Sequence, residues 1–391
     1  MGERDHDLVL FGGTGFTGGL TAEYLARHAP RGSRWALAGR NRAKLAALRD
    51  RLTRINEDCA DLPLLEADVT DAESLRRLAE NTRVVITTVG PYLQYGEPLV
   101  AACARSGTDY VDLTGEPEFV DRMYLAHHET ARESGARLVH ACGFDSVPYD
   151  LGVYFTVQHL PRSVPLTVEG QVRAHAEFSG GTYASALTAF SRPTQMAQVA
   201  RRRREVEKRP ADRRIRVSKG LLYRDREVGR WMVPLPTIDP QIVGRSAAAL
   251  DRYGPAFTYR HYAAVKRGPV VVAGALGLAA LGLLAQLPFA RKALANLRKP
   301  GEGPSEQRRL QSWFSVRFVG EGGGERVVTE FAGGDPGYDE TAKMLAESAL
   351  CLAFDELPDT SGQVTTAVAM GDALLNRLSR AGLQIRVVQR S

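Results

Sequence analysis

The first residues whose spacing carries a chemistry are Gly12, Gly15 and Gly18, in the run Gly12-Gly13-Thr14-Gly15-Phe16-Thr17-Gly18. They follow a short apolar stretch, Leu8 to Phe11, and open a helical pattern with Leu20, Tyr24 and Leu25 on one face. In that setting Gly12 permits a tight turn, Gly15 lets the main chain approach a pyrophosphate, and Gly18 allows close helix–strand packing. The free N–H groups and positive dipole end of the helix then attract the anion, with Thr14, Phe16 and Thr17 completing the loop around it. The spacing is GxxGxxG rather than GxGxxG. A second cluster, Arg40, Asn41 and Lys44, lies where a ribose-binding Asp or Glu would stand in an NAD-binding chain. An acidic side chain there would repel a 2′-phosphate, whereas Arg40 can pair with it bidentately. The expected cofactor is therefore NADP(H). Asp68 and Val69 fall where the adenine edge is held, and Thr88, Val89 and Gly90 fall beside the nicotinamide ribose.

Three loops at the same end of the expected sheet carry groups for proton transfer. Tyr92 and Tyr95, in Gly90-Pro91-Tyr92-Leu93-Gln94-Tyr95-Gly96, could protonate a developing enolate or simply line the nicotinamide pocket. Asp112 and Glu116 read as a structural hydrogen-bond acceptor and a helix N-terminal residue. Asp145 is the third catalytic candidate, although Asp145 and Ser146 also suit capping of a helix whose first turn holds Pro148. His140 sits in an apolar strand and reads as a core histidine. Cys142 has no adjacent base to mark it as a nucleophile. Thr182 and Tyr183 could polarise a substrate carbonyl. No metal is expected, because no ligand cluster is evident.

The elements that must position these groups alternate in type. Apolar runs at 8–11, 34–39, 62–69, 83–89, 109–114 and 136–142 are separated by helical stretches at 41–53, 71–80, 96–106 and 117–134. Repeated βα units with short loops imply a Rossmann doubly wound parallel sheet over 1–148. From 149 to 355 the pattern becomes α+β with a mixed or antiparallel sheet. It has a helix near 150–160, a strand at 164–178, a hairpin at 313–331 around Gly320-Glu321-Gly322-Gly323-Gly324, and a helix at 338–354. The segment 356–391 adds a helix at 371–380 and a strand at 384–388, expected to pack back on the first domain. The stretch 205–311 resists assignment, apart from a loop at Gly301-Glu302-Gly303-Pro304.

The chain has 391 residues, 44% hydrophobic and 25% charged, with a net charge of +6. These are ordinary values for a two-domain soluble protein. Four cysteines without CxxC spacing, and no signal-peptide pattern, fit a reducing cytoplasm. The basic stretch 201–230 reads as solvated helix or loop, or as contact with an acidic partner or anionic surface; no nucleic-acid partner is expected. One segment departs from the soluble pattern. Residues 269–290 contain no charge, are flanked by Lys266, Arg267, Arg291 and Lys292, and are long enough to span a bilayer. The alternatives are peripheral membrane attachment, a buried helix and a homodimer contact. A single span is disfavoured, because the C-terminal segment looks like part of the same fold.

The phrases VLFGGTGFTGGLTAEYLA, TTVGPYLQYGEPLVAACARSGTDYVDLTGE and HACGFDSVPYDLG resemble the saccharopine dehydrogenase-like oxidoreductases. WFSVRFVGEGGG, GGDPGYDETAKMLAESALCLA and GQVTTAVAMG extend the resemblance over most of the chain outside roughly 200–260. Within that group the likeness is to trans-acting enoyl reductases, which serve polyketide synthases in lipid biosynthesis. The resemblance implies hydride transfer from NADPH to the β-carbon of a 2-enoyl thioester and protonation of the α-carbon. The acyl group would be presented on an acidic acyl carrier protein. Two other readings are a dehydrogenase acting on an imine or amino acid, and a nucleotide-binding scaffold at a lipid surface. Saccharopine itself would need a convergent cationic pocket for its carboxylates, and none is identifiable.

Overall fold

The computed structural model describes residues 4–176, 180–287, 289–290 and 303–391. Strands β1 (His6–Phe11), β2 (Trp35–Gly39), β3 (Leu64–Glu66), β4 (Thr82–Thr87), β5 (Asp109–Val111) and β6 (Arg137–Val139) form the first half. Then come β7 (Leu166–His175), β8 (Arg214–Ser218), β9 (Tyr223–Asp225), β10 (Arg230–Pro234) and β11 (Ala256–Val265). The chain ends with β12 (Trp313–Gly322), β13 (Glu325–Gly333), β14 (Gly362–Val364) and β15 (Gln384–Arg390). The first sheet is wholly parallel, in the order β14-β6-β5-β4-β1-β2-β3. Both of its faces are covered, so Leu8, Val9, Leu10, Val84, Val85 and Ile86 are fully buried and the strands read as unbroken apolar runs. The order reverses between β1 and β4, and the crevice at their carboxyl ends is where ligands bind in such sheets.

The second sheet is mixed, in the order β15-β13-β12-β7-β11-β10-β9, with β8 paired along β11. β12 and β13 are antiparallel, and the turn between them holds Gly323 and Gly324 at positive φ, as expected from the glycine run. β7 and β11 are parallel neighbours. The previously unassigned stretch therefore supplies four strands of this sheet. Residue 178, at the end of the expected strand 164–178, and residues 301–302 of the expected loop lie outside the described residues.

The two sheets share one continuous core. The helix Val147–Gln158 lies between them, starting three residues before the expected position, with Pro148 in its first turn. Its Gly152 faces Phe318 of β12 so closely that an added Cβ would lie 2.2 Å from the ring. Asp150 on this helix accepts hydrogen bonds from Ser246 Oγ, from Thr366 Oγ1 (2.7 Å) and from Ala367 N (2.9 Å). It thus joins three segments far apart in sequence. The expected capping by Asp145 and Ser146 is not made. Ser146 is the N-cap residue, but no side-chain bond forms and its Oγ is buried without a partner. The helix Asp339–Phe354, drawn from the second unit of the sequence division, packs on β1, β4 and β5 of the first sheet. The final segment divides. β14 extends the parallel sheet beside β6, and β15 pairs with β13 in the other.

Candidate active site

The turn after β1 is built for an approaching anion. Gly12 has φ +95°, a left-handed backbone that side chains rarely adopt, and a Cβ there would lie 2.7 Å from Val89 Cγ2. Its carbonyl accepts from Gly15 N (3.1 Å) and from Thr88 Oγ1 (3.1 Å), tying the loop to the end of β4. Gly18 presses on that same carbonyl: a Cβ would stand 2.3 Å from Gly12 O and 2.7 Å from Thr88 Oγ1. Gly15 is the N-cap of the helix Phe16–His28, with no side-chain cap and no acidic residue in the first turn. Its first N–H groups therefore point unpaired into the crevice. Thr14 and Gly15 are exposed, and Thr17 is partly so. The Phe16 ring turns away, edge-on to Tyr338 at 4.9 Å and beneath Arg309, so Phe16 serves the loop through its backbone.

At the end of β2, Arg40 and Lys44 are exposed. Asn41 caps the helix Arg42–Thr53 by accepting from Lys44 N at 2.9 Å. Asp68 accepts from Thr70 N (2.8 Å) and Thr70 Oγ1 (2.7 Å), bonds that hold its carboxyl below the usual range, with a smaller contribution from the Arg40 charge. Val69 is half-buried against the core. Thr88, Val89 and Gly90 leave β4 directly opposite the glycine turn. These residues follow the carboxyl ends of the adjacent strands β1, β2, β3 and β4. The glycine cradle, the open helix end and the two free-standing cations fit a dinucleotide with a 2′-phosphate.

Beyond the crevice the candidate proton donors part company. Tyr92 is buried, its hydroxyl donating to Thr87 O (3.1 Å) and accepting from Leu113 N (3.2 Å); burial holds the phenol well above its ordinary value. Those bonds make Tyr92 a strut between the β4 and β5 loops. Tyr95 is half-buried, and its hydroxyl has no partner among the described residues. Glu116, expected to serve its own helix, instead accepts from Tyr92 N (3.1 Å) and Leu93 N (2.8 Å). Its burial raises the carboxyl, and Ser185 of the helix Gly180–Ser191 reaches it at 3.4 Å. Asp112 is an acceptor as expected, holding Tyr110 Oη, Thr114 N, Ala141 N and His140 Nδ1 (2.7 Å) within the core. Burial pushes the Cys142 thiol up and makes it a poor nucleophile. The Thr182 side chain lies outside the described residues; Tyr183 is half-buried.

Asp145 occupies a different environment. It stands against Gly115, where a Cβ would lie 3.2 Å from its Oδ2, and desolvation alone pushes its carboxyl up to about 6. Behind it is a group that sequence reasoning missed: Tyr149, Asp239, Tyr259 and His261. His261 Nδ1 meets Tyr259 Oη at 2.9 Å, and its Nε2 is 3.7 Å from Asp239 Oδ2, too far for a hydrogen bond. The Tyr149 ring stands edge-on to the imidazole at 4.8 Å. His261 Nε2 and Asp239 Oδ1 are buried without partners. Burial lowers the imidazole to about 3, which leaves it neutral, and raises the Asp239 carboxyl well above its ordinary value. Asp145 is near enough for its charge to be felt at Asp239, Tyr149 and Tyr92. Among the described residues, no lysine or arginine shifts Asp145, Asp239, Tyr149 or His261. The available sequence signals were an Asp-Pro helix start at 239–240 and one polar residue on the inward face of the alternating run 256–265.

Comparison with known proteins gives the following. Residues 8–139 match the family described as the saccharopine dehydrogenase NADP binding domain. A Mycobacterium tuberculosis protein provisionally named a trans-acting enoyl reductase is 39% identical, with 99% of this chain and 98% of that protein covered. A trans-acting enoyl reductase of Mycobacterium ulcerans is 36% identical over 98% of each chain. Among solved structures, apo saccharopine dehydrogenase (L-Glu forming) from Saccharomyces cerevisiae superposes with a TM-score of 0.53 at 12% identity. That match covers 99% of this chain and all of the other, a likeness of fold.

Proposed function

The chain belongs to the saccharopine dehydrogenase-like oxidoreductases and, within them, to the trans-acting enoyl reductases; on that premise we propose that it reduces a 2-enoyl thioester of a lipid or polyketide chain. It is an NADP-dependent oxidoreductase with a doubly wound dinucleotide domain. Gly12, Gly15 and Gly18, with the open helix end, would hold the pyrophosphate, and Arg40 and Lys44 the 2′-phosphate. The bound NADPH supplies the hydride taken up at the β-carbon.

The observation that carries the substrate class is the uncharged wall behind Asp145. An amino-acid or imino-acid substrate brings carboxylates that require cationic partners, because a buried unpaired carboxylate is costly. Asp145, Tyr149, Asp239 and His261 offer acids and neutral donors without a cation among the described residues, which suits a neutral acyl thioester. Asp145 is the proposed proton donor to the α-carbon. Its carboxyl, raised to about 6, is partly protonated near neutrality, and further exclusion of water by substrate would raise that fraction. Tyr92 and Glu116 position the loop beside it, and Tyr95 is a further candidate at the rim. Delivery on an acidic carrier protein is supported by the exposed arginines of 201–230. Arg203 and Arg213 are not available for that contact, being turned inward onto Asp121 and onto the carbonyl end of the helix Asp239–Ala249.

The test is NADPH consumption with 2-enoyl-pantetheine thioesters, set against keto acid and amine pairs. Turnover of the thioesters alone, lost in Asp145→Asn while NADPH still binds, is expected. Turnover of only the imine-forming pairs would overturn the reading.

A further inference from the structure

The helix Gly268–Ala285 meets the helix Gly180–Ser191 and the ends of β10 and β11, and leaves most of its surface uncovered. Only Ala285 of its eighteen residues is buried. Val270, Val272, Leu276, Leu278 and Leu283 are 51–73% exposed. At 100° per residue these side chains point around the whole circumference, not along one stripe. A second protein covers one face of a helix and leaves the other wet. A lipid phase covers all faces at once, where a single partner helix would cover one stripe. The helix is about 27 Å long at 1.5 Å per residue, and because both of its ends are tied to the protein it would lie along a leaflet rather than cross the bilayer.

Its surroundings fit the same medium. Lys266 and Arg267 are exposed where β11 runs into the helix. Arg230 begins the neighbouring strand, whose Trp231 pairs with Val265. Arg224 and Arg226 are exposed on the same flank, where the opposing charges are Asp225 and Glu227. The connection between β8 and β9 exposes Leu221 (82%) and Leu222 (52%) on that flank as well. A cationic collar around an apolar helix is the pattern that anionic headgroups and acyl chains meet together. The chain before the helix (β11) and after it (β12) flanks β7 in one sheet, so the segment cannot carry the C-terminal part across a bilayer. Arg291 and Lys292 lie outside the described residues.

We propose that Gly268–Ala285 inserts from one side into an anionic lipid leaflet and holds the mouth of the active-site crevice at the membrane surface. The link to the crevice is short. The end of the helix packs on Gly180–Ser191, with Gln286 donating to Phe190 O, and Ser185 of that helix touches Glu116. A lipid-borne chain would meet the crevice without crossing open water. The inference concerns a surface and stands independently of the proposed reaction.

The test is flotation of the full chain with phosphatidylcholine vesicles, with and without about a third phosphatidylglycerol, NADPH binding serving as the check on folding. Wild type is expected to float, and to do so more with the anionic lipid. Lys266→Glu with Arg267→Glu should weaken binding at least about tenfold, since each cation near such a surface contributes about fivefold. Leu276→Asp with Leu278→Asp should weaken it about a hundredfold or more with NADPH binding kept. All four native cysteines are buried, so a Leu276→Cys variant can be labelled selectively with a fluorophore and challenged with acyl-brominated lipid. Quenching is expected whether or not the aspartate variants fold. Wild-type protein that stays with the soluble fraction, or a label shielded by self-association and unquenched by lipid, would overturn the proposal.

Discussion

Adding one methyl group at Gly15 and one at Gly18 should separate the two tasks of the glycine turn. An alanine Cβ at Gly18 would sit 2.3 Å from Gly12 O, whereas ordinary contacts begin near 3.4 Å, so the helix must retreat by about 1 Å. The carbonyl cannot yield instead, because Gly15 N and Thr88 Oγ1 both hold it. Overpacking of this kind costs about 1–3 kcal/mol, offset by up to about 1 kcal/mol of helix propensity. The net loss is about 1–2 kcal/mol, or a fall of roughly 1–3 °C in Tm for a chain of 391 residues. At Gly15 the nearest atom to a new Cβ is Gly12 O at 3.5 Å, and φ is −79°, so the apo protein should keep its stability within about 0.5 kcal/mol. That methyl nevertheless projects from an exposed position at the helix end, where the pyrophosphate must come close. Gly15→Ala should therefore weaken NADPH binding about tenfold or more with Tm unchanged, and Gly18→Ala should lower both. Thermal melts without cofactor and fluorescence titration with NADPH read the two effects separately. Unchanged NADPH affinity in Gly15→Ala would mean that the phosphates do not lie on this loop.

Two further outcomes follow from charge. Arg40→Glu should cost about tenfold to a hundredfold in NADPH affinity, the worth of a charge-assisted pair of about 1.5–3 kcal/mol, and leave NADH binding nearly unchanged; an unaltered ratio of the two dissociation constants would sink the 2′-phosphate argument. Asp145 should make stability depend on pH. Its carboxyl is at about 6 when folded, against 3.8 ordinarily. Well below pH 3.8 both states hold the proton and the site contributes nothing, and at pH 3.5 the difference is only roughly a few tenths of a kcal/mol. As pH rises through 6 the folded form must bear a buried charge that costs about 3 kcal/mol. Asp145→Asn should therefore raise the urea midpoint at pH 8 and leave it nearly unchanged at pH 3.5, and equal midpoints at pH 8 would refute the assignment.

The dinucleotide half of the fold was legible because its signals are local. The helix Pro117–Ser134 has the bounds expected from sequence, Pro117 opening it and Gly135 ending it at φ +81°. The Gly12–Gly18 turn and Arg40 required only the strand before and the helix after. β3 shows where locality fails. The apolar run 62–69 suggested a long strand, but only Leu64–Glu66 pair, since the Asp68–Thr70 turn draws the chain away at the sheet edge. His261 and Asp239 were illegible for a stronger reason. Their partners come from the loop after β6, the helix Val147–Gln158 and β11, and nothing local marks an inward histidine as different from a core one. Glu116 was misplaced for the same reason: its acceptors' role is fixed by Tyr92 and Leu93, more than twenty residues away.

The location of those illegible residues bears on how the enzyme divides its work. On the proposed reading the parallel sheet would hold the dinucleotide, with backbone N–H groups and the exposed Arg40 and Lys44. β11 and the helices Val147–Gln158 and Asp239–Ala249 supply the wall, where burial disfavours the charged forms of the inward polar groups. In the proposed reaction Asp145 would face the cofactor from the loop after β6, with Tyr149, Asp239 and His261 behind it. Had that surface carried a lysine or arginine, Coulomb attraction would have pulled the Asp145 carboxyl below its ordinary value, leaving a permanent anion unable to give up a proton. The neighbours actually present, Asp239, Tyr149 and Tyr92, can only acquire negative charge, so any coupling among them favours the protonated acid. On the proposed reading, exclusion of carboxylate substrates and retention of a transferable proton would have one physical origin, the lack of lysine or arginine coupled to this wall among the described residues.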